Sequence, residues 1–322
     1  MKKRLVVLVM TLVLVLTACN SGGTEKPGEG NVKGKQKVIG ASLLTQSHPF
    51  QVAIKEAIEK QGAADNMKVD VSIADQDLNR QIAAIEDFIT KKVDALIIVP
   101  VDSDGIAGAI KKAKDANIPV ITVDIKANGV EVDSHIATDN YSGGLIAAEA
   151  MAKYLPEGGD IGLITYPEVQ SVKDRIAGFK DNVVNHPNLK IVTELPGRTR
   201  EEAKTASEDM ITANPSLKGV FGFGDDMALA ATAAIQERNK DAIVIGFDGL
   251  EEAQNSVKED NPFKAVVVQF PDKMGQVAVQ NAVKLINGET VEKEVPITPG
   301  LFIQDKGMVD VKVENKKVTI TE

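Results

Sequence analysis

The side chains here that could do chemistry are carboxylates, amides and guanidiniums rather than nucleophiles. The three histidines, His48, His135 and His186, are far apart and form no His-Glu-x-x-His frame, so a zinc hydrolase has no ligand set. No Gly-x-Ser-x-Gly occurs, which removes the tight turn that presents a serine nucleophile. Gly222-Phe223-Gly224 lacks the third glycine of a dinucleotide fingerprint. Aspartates are plentiful, so a carboxylate pair spaced for glycoside hydrolysis stays open as an exported carbohydrate-active enzyme. What remains is a set of polar residues at or beyond the ends of apolar runs, among them Asp124, Arg175, Asp248 and Gln269. No cofactor and no metal site are expected.

The elements that would hold these residues have the character of an α/β protein. Apolar runs fall at residues 38–44, 69–74, 95–99, 120–124, 161–165, 191–195, 220–224, 243–248 and 265–270. They are continuous rather than alternating, as in strands buried on both faces of a parallel sheet. Amphipathic segments lie between them. Ile82, Ile85 and Ile89 share one helical face with charges opposite. Repeated strand–helix alternation implies a doubly wound sheet, and this many strands needs two Rossmann-like halves. Ligands of such sheets sit beyond the C-terminal strand ends. Asp102, Ser103 and Asp225 read as helix N-caps there. Asp124 and Asp248 end strands with no helix starting on the next residue, and read as ligand contacts.

Cys19 is the only cysteine, so no disulfide is possible. Lys2, Lys3 and Arg4 precede an uncharged run from residue 5 to 16, and small residues lead into Cys19, the layout of a secretory signal peptide over residues 1–18. The run is too short to cross a hydrocarbon core, which needs about 20 apolar residues. It resembles the bacterial lipoprotein signal, which implies cleavage before Cys19 and lipid attachment to its sulfur. Residues 19–37 are poor in apolar side chains and read as a flexible tether. Removing residues 1–18 takes away three positive charges and no negative ones, and moves the formal charge from −9 to −12. So acidic a chain repels phosphate backbones and anionic headgroups, so nucleic acid is not an expected partner and the membrane is reached through lipid. The mature length calls for two domains. With no Trp and three Tyr, aromatic binding platforms are few.

From residue 38 to about 297 the chain resembles the ribose-binding group of periplasmic sugar-binding proteins, the substrate-binding components of ABC importers. The resemblance lies in His48-Pro49-Phe50, Asp94-Ala95-Leu96-Ile97-Ile98-Val99-Pro100, Ile118-Pro119-Val120-Ile121-Thr122-Val123-Asp124, Ser134-His135-Ile136-Ala137-Thr138-Asp139-Asn140, Arg175-Ile176-Ala177-Gly178-Phe179, Asp225-Asp226-Met227-Ala228-Leu229, Gly246-Phe247-Asp248-Gly249 and Gln269-Phe270-Pro271-Asp272. It implies two lobes joined by three hinge strands, crossing near Thr138, Gln269 and Ile297. The lobes would be residues 38–138 plus 270–297, and 139–269 plus 298–322. Residues 308–321 alternate and could add a short hairpin.

Carried over, the resemblance puts Phe50, Asp124, Arg175, Asp248 and Gln269 in a sugar pocket. Sugar hydroxyls donate and accept, carboxylates accept, arginine donates in a fork, glutamine does both, and a Phe face stacks on a C–H side of the ring. Four pocket positions depart from the ribose binder: His48 for Asn, Gln51 for a second Phe, Arg198 for an aromatic, and Gly224 for Asn. Ile125 also stands in place of an Arg. These changes point to a ligand larger or more polar than ribose: a hexose, a polyol, or an oxidised sugar whose carboxylate meets Arg198. Arg198 reads equally as an exposed loop residue, and His48 equally as a helix-start residue. The expected function is hinge closure on a monosaccharide-like ligand and its delivery to an ABC permease by a monomer, outside the cytoplasm, on the outer face of a single-membrane cell or in a periplasm. A ligand-presenting role for a sensor or chemoreceptor, with autoinducer-2 or another small polar ligand, is the competing reading. A repressor of the same core would need an N-terminal helix-turn-helix, which residues 1–37 do not contain.

Overall fold

The computed structural model describes residues 36–321, so the signal peptide, Cys19 and the tether up to residue 35 lie outside the described residues. In chain order the first half holds β1 (Val38–Leu43), α1 (Pro49–Ala64), β2 (Lys68–Ile73), α2 (Leu78–Lys91), β3 (Ala95–Ile98), α3 (Ala107–Asp115), β4 (Val120–Val123) and β5 (Ser134–Thr138). Then come α4 (Asn140–Tyr154), β6 (Gly159–Thr165), α5 (Gln170–Val183), β7 (Leu189–Pro196), α6 (Arg200–Ala213), β8 (Leu217–Gly222), α7 (Asp225–Glu237), β9 (Ile243–Asp248), α8 (Glu251–Lys258) and β10 (Phe263–Val268). The chain ends with α9 (Pro271–Ile286), β11 (Glu294–Ile297), β12 (Gly300–Ile303), β13 (Gly307–Glu314) and β14 (Lys317–Thr321).

Two sheets organise these elements. One has the order β11-β5-β4-β3-β1-β2, the other β14-β13-β12-β10-β9-β8-β6-β7. The first is parallel throughout, and so is the second from β10 to β7. β3 and β4 are buried at every residue, because helices cover both faces. On one face of the first sheet Ile54 and Ile58 of α1 meet Met274 and Ala278 of α9; on the other Ile85 and Phe88 of α2 meet Ile110 of α3. In the second sheet α4 and α5 pack together, while α6, α7 and α8 pack as a separate group. This is the two-domain α/β architecture expected from the apolar runs.

The chain passes between the sheets three times: after β5, after β10, and between β11 and β12. The passages are tied to one another. Thr138 Oγ1 donates to Gln269 Oε1 (2.5 Å), and Asp139 N donates to Ile297 O (2.9 Å). β5 and β11 were not among the nine apolar runs. β5 carries His135, whose Nδ1 lies 3.0 Å from Thr122 Oγ1 on β4, and β11 is short and half-exposed at the sheet edge. The tail forms the antiparallel hairpin β13–β14. Its two-residue turn, Asn315-Lys316, has φ of 50° and 63°, the left-handed pair that hairpin twist favours.

Candidate functional site

Each sheet ends one central strand in an aspartate with unusual backbone. Asp124, just past β4, has φ 66°; its own N–H donates to Ile136 O (2.8 Å) and Ile125 N donates back to Val123 O (2.7 Å). That is a three-residue turn with positive φ, a strained arrangement for a residue bearing a Cβ. Asp248, the last residue of β9, has φ 100° and accepts the Gln269 N–H on its carbonyl (3.0 Å). Strain of this kind persists only where the surroundings over-determine it, and here it turns both carboxylates off their sheet ends.

Arg175 feels the charge of both and touches Asp248. It sits on α5, is 7% exposed, and its guanidinium carbon lies 3.8 Å from the centre of the Phe247 ring. Its Nη1 donates to Phe223 O (2.7 Å) and to Asp248 Oδ1 (3.1 Å), and its Nε to Asn140 Oδ1 (2.8 Å). The close approach of α5 to α4 makes this reach possible. A Cβ on Gly144 would stand 2.0 Å from Arg175 O, and one on Gly178 would stand 2.0 Å from Tyr141 O. Glycine at both positions lets the helices touch backbone to backbone. Gln269, 8% exposed, completes the second-sheet side by donating Nε2 to Asp248 Oδ1 (2.6 Å) while accepting from Thr138. On the first-sheet side Gln51 donates Nε2 to Asp124 Oδ2 (2.9 Å).

The electrostatics join the two sides. Burial pushes the Asp124 carboxyl above its ordinary pKa and the Asp248 charge adds to that; the Gln51 hydrogen bond and the charges of Arg175 and His48 oppose it. Burial lowers the Arg175 pKa, and the Asp248 and Asp124 carboxylates hold it up. Aspartates from both sheets therefore act on one buried cation. Asp225 is a further buried carboxyl, pushed up to about 8 by burial and then by the Asp248 charge.

Asp124, Arg175, Asp248, Gln269 and Gln51 thus come together. Gly224 joins them: it precedes α7, and a Cβ there would lie 3.2 Å from Asp248 Oδ2. His48 is the exposed N-cap of α1, makes no side-chain cap bond, and bears on Asp124 through its charge. Phe50 is 6% exposed and packs in the apolar cluster of the first sheet. Arg198 stands apart: it is exposed, and Glu202 accepts from its N–H (2.9 Å) and its Nε (3.4 Å) at the start of α6. The cap reading of Asp225 needs correction, because Gly224 is the N-cap of α7 and the Asp225 carboxylate instead accepts from Gly249 and Leu250. The N-cap reading of Asp102 and Ser103 needs the same correction, because Ile106 is the N-cap of α3; Asp102 instead closes the turn before it, accepting from Asp104 N (3.0 Å) and Gly105 N (2.6 Å). Sequence reasoning marked Asn140 only as a strand-end residue, without its role of orienting Arg175, and missed Phe247, which lies under Arg175. Both stand in the segments quoted above, but their partner is remote in sequence and nothing local marks the pairing.

A cavity of about 950 Å³ has Asp124, Thr138 and Asn140 in its wall, beside Glu168 just before α5 and Lys173 within it; Arg175, Asp248, Gln269 and Gln51 do not line it. Its wall thus draws on both halves of the fold. Convergent carboxylates, an arginine fork and glutamines, largely withdrawn from water, have the donors and acceptors to match a guest rich in hydroxyls.

Residues 39–290 match the periplasmic binding protein domain family. The chain is 34% identical over 299 residues to the ribose import binding protein of Bacillus subtilis (strain 168), spanning 92% of this chain and 97% of that one. A solved ABC transporter solute-binding protein from Mycobacterium smegmatis with bound glycerol has TM-score 0.72 at 33% identity, over 83% of this chain and 94% of that one. Another, from Actinobacillus succinogenes 130z with bound D-allose, has TM-score 0.75 at 25% identity, over 83% and 97%.

Proposed function

This chain belongs to the periplasmic binding protein domain family and is an extracytoplasmic sugar-binding component of an ABC importer rather than an enzyme, and on that premise we propose that it is a lipid-anchored binder that delivers a monosaccharide or polyol to a membrane permease. The observation that carries the reading is the pair Asp124 and Asp248, one at the end of a strand in each sheet, both acting on the buried Arg175. A polyhydroxylated guest would take Asp124, Arg175, Asp248, Gln269 and Gln51 as partners, with Phe50 beneath it and His48 at the rim, while Arg198, held by Glu202, would reach it only after leaving that partner. The lobes would be residues 38–138 plus 270–297 and residues 139–269 plus 298–322, rocking about the three tied passages. Ligand binds both lobes only when they close, so its affinity supplies the population shift.

Ribose, D-allose and glycerol, the compounds of those three relatives, share hydroxyl groups and lack charge. We carry that chemistry to this chain. The missing side chain at Gly224 leaves Asp248 Oδ2 open on that side, and Gln51 adds polarity beside Asp124. Both favour a ligand larger or more polar than ribose. Anchoring would come from lipid on Cys19.

Titration calorimetry across pentoses, hexoses, polyols and sugar acids tests the proposal. One-to-one binding of at least one compound is expected, with at least a hundredfold weaker binding in Arg175→Ala, which strands two buried carboxylates. Absence of heat from every compound overturns it.

A further inference from the structure

The turn after Asp248 is fixed from several directions. Gly249 has φ 73°, and a Cβ there would lie 2.7 Å from the Val268 side chain, so the turn needs glycine. Asp225, 6% exposed, commits both oxygens to it: Oδ1 accepts from Gly249 N (3.1 Å) and Oδ2 from Leu250 N (2.7 Å). From α8, Gln254 Nε2 donates to Gly249 O (2.7 Å). The turn is thereby tied to α7 and α8 of the second-sheet half.

Leu250 is what this turn presents. It follows a strand of the second sheet, yet its side chain packs on the apolar cluster of the first sheet, the one containing Phe50, Val123 and Met274. Phe270 also packs on that cluster, but it lies at a passage between the sheets and touches both cores. Among the described residues, Leu250 is therefore the apolar side chain that reaches the other half away from the passages.

We propose that Asp225 is a positioning residue: through the Gly249–Leu250 turn it sets Leu250 as an apolar latch across the cleft, on the same short segment that carries Asp248. Ligand contact at Asp248 and lobe contact at Leu250 then act on a single equilibrium, that of closure, and each favours the other. The affinity part rests on the binding function proposed above; the latch itself does not.

Two measurements on the full chain test this. In ligand-free protein, Leu250→Ala should raise amide exchange several-fold at residues 44–51 and 124–127 of the opposite half, leaving α7 and α8 unchanged. With a sugar that the wild type binds, it should weaken affinity about tenfold, mainly through faster dissociation. Asp225→Asn should show the same cross-cleft exchange, plus faster exchange at the Gly249 and Leu250 amides. The double variant should lose less affinity than the product of the single losses, which a merely structural role for Asp225 would not produce. Unchanged exchange across the cleft in Leu250→Ala, or losses that multiply, overturns the proposal. If Asp225→Asn does not fold, the Leu250→Ala exchange decides alone. If the wild type binds no sugar, the binding function fails and the ligand-free exchange still decides the latch.

Discussion

Asp225 is a carboxyl whose usual pKa near 3.8 is raised to about 8, first by burial and then by the Asp248 charge; the Leu250 and Gly249 N–H groups oppose the rise and Asp226 adds to it. Between the unfolded value near 3.8 and that raised value the folded protein holds this proton more tightly than the unfolded chain does. The folded state binds more protons across that window, so stability falls as pH rises through it. Asp124 is shifted in the same direction, and burial again leads. The melting temperature should therefore be higher at pH 5.5 than at pH 8, and Asp225→Asn should flatten that slope; scanning calorimetry at the two pH values reads it. A slope of opposite sign would mean that Asp225 is ionised in the native protein. Ligand fits the same chemistry, because a hydroxyl guest supplies donors to carboxyls that burial has stripped of water.

The site depends on how closely α4 and α5 approach. Gly144 and Gly178 face backbone at contact distance, and Arg175 lies one turn before Gly178 on α5. A methyl group at 178 cannot be absorbed by a rotamer change, since its obstacle is the Tyr141 carbonyl. Gly178→Ala should cost about 1–3 kcal/mol, a drop of several degrees in melting temperature, and should weaken ligand binding at least tenfold because Arg175 moves with the helix. Calorimetry and a thermal melt check both halves of that expectation. The C-terminal hairpin is pinned to the same helix pair: Lys316 Nζ donates to Asp181 Oδ2 (3.0 Å), which also accepts from Tyr141 Oη. These groups are exposed, so the ion pair adds little, and the hairpin is held chiefly by Val318, Val311 and Ile320 against the core.

At the scale of the whole molecule, two cores are joined at three passages tied to one another by the Thr138–Gln269 and Asp139–Ile297 hydrogen bonds. Gln269 bonds both to Thr138 of another passage and to Asp248, so the residue that ties two passages also holds the aspartate ending a strand of the second sheet. A binder built this way needs a location as well as a cleft. Cys19 is expected to supply it: Cys19→Ser should shift the protein from the membrane fraction to the soluble fraction, as read by detergent phase partitioning, with sugar affinity unchanged. Retention of the variant in the membrane fraction would remove the lipid anchor from the account.

Much of this was already legible in the residues. Continuous apolar runs fixed two parallel sheets because strands covered on both faces have no polar side to show, and the aspartates closing residues 120–124 and 243–248 stood out because no helix began behind them. β5 and β11 were hidden, since an edge strand and a strand carrying a bonded histidine lose the apolar signature. The roles of Asn140, Phe247, Asp225 and Leu250 were settled by the tertiary fold alone. Each acts on a partner from another element, at a separation along the chain that no local pattern encodes, and only packing brings an arginine at 175 over a ring at 247 or a leucine at 250 onto the core of the opposite sheet.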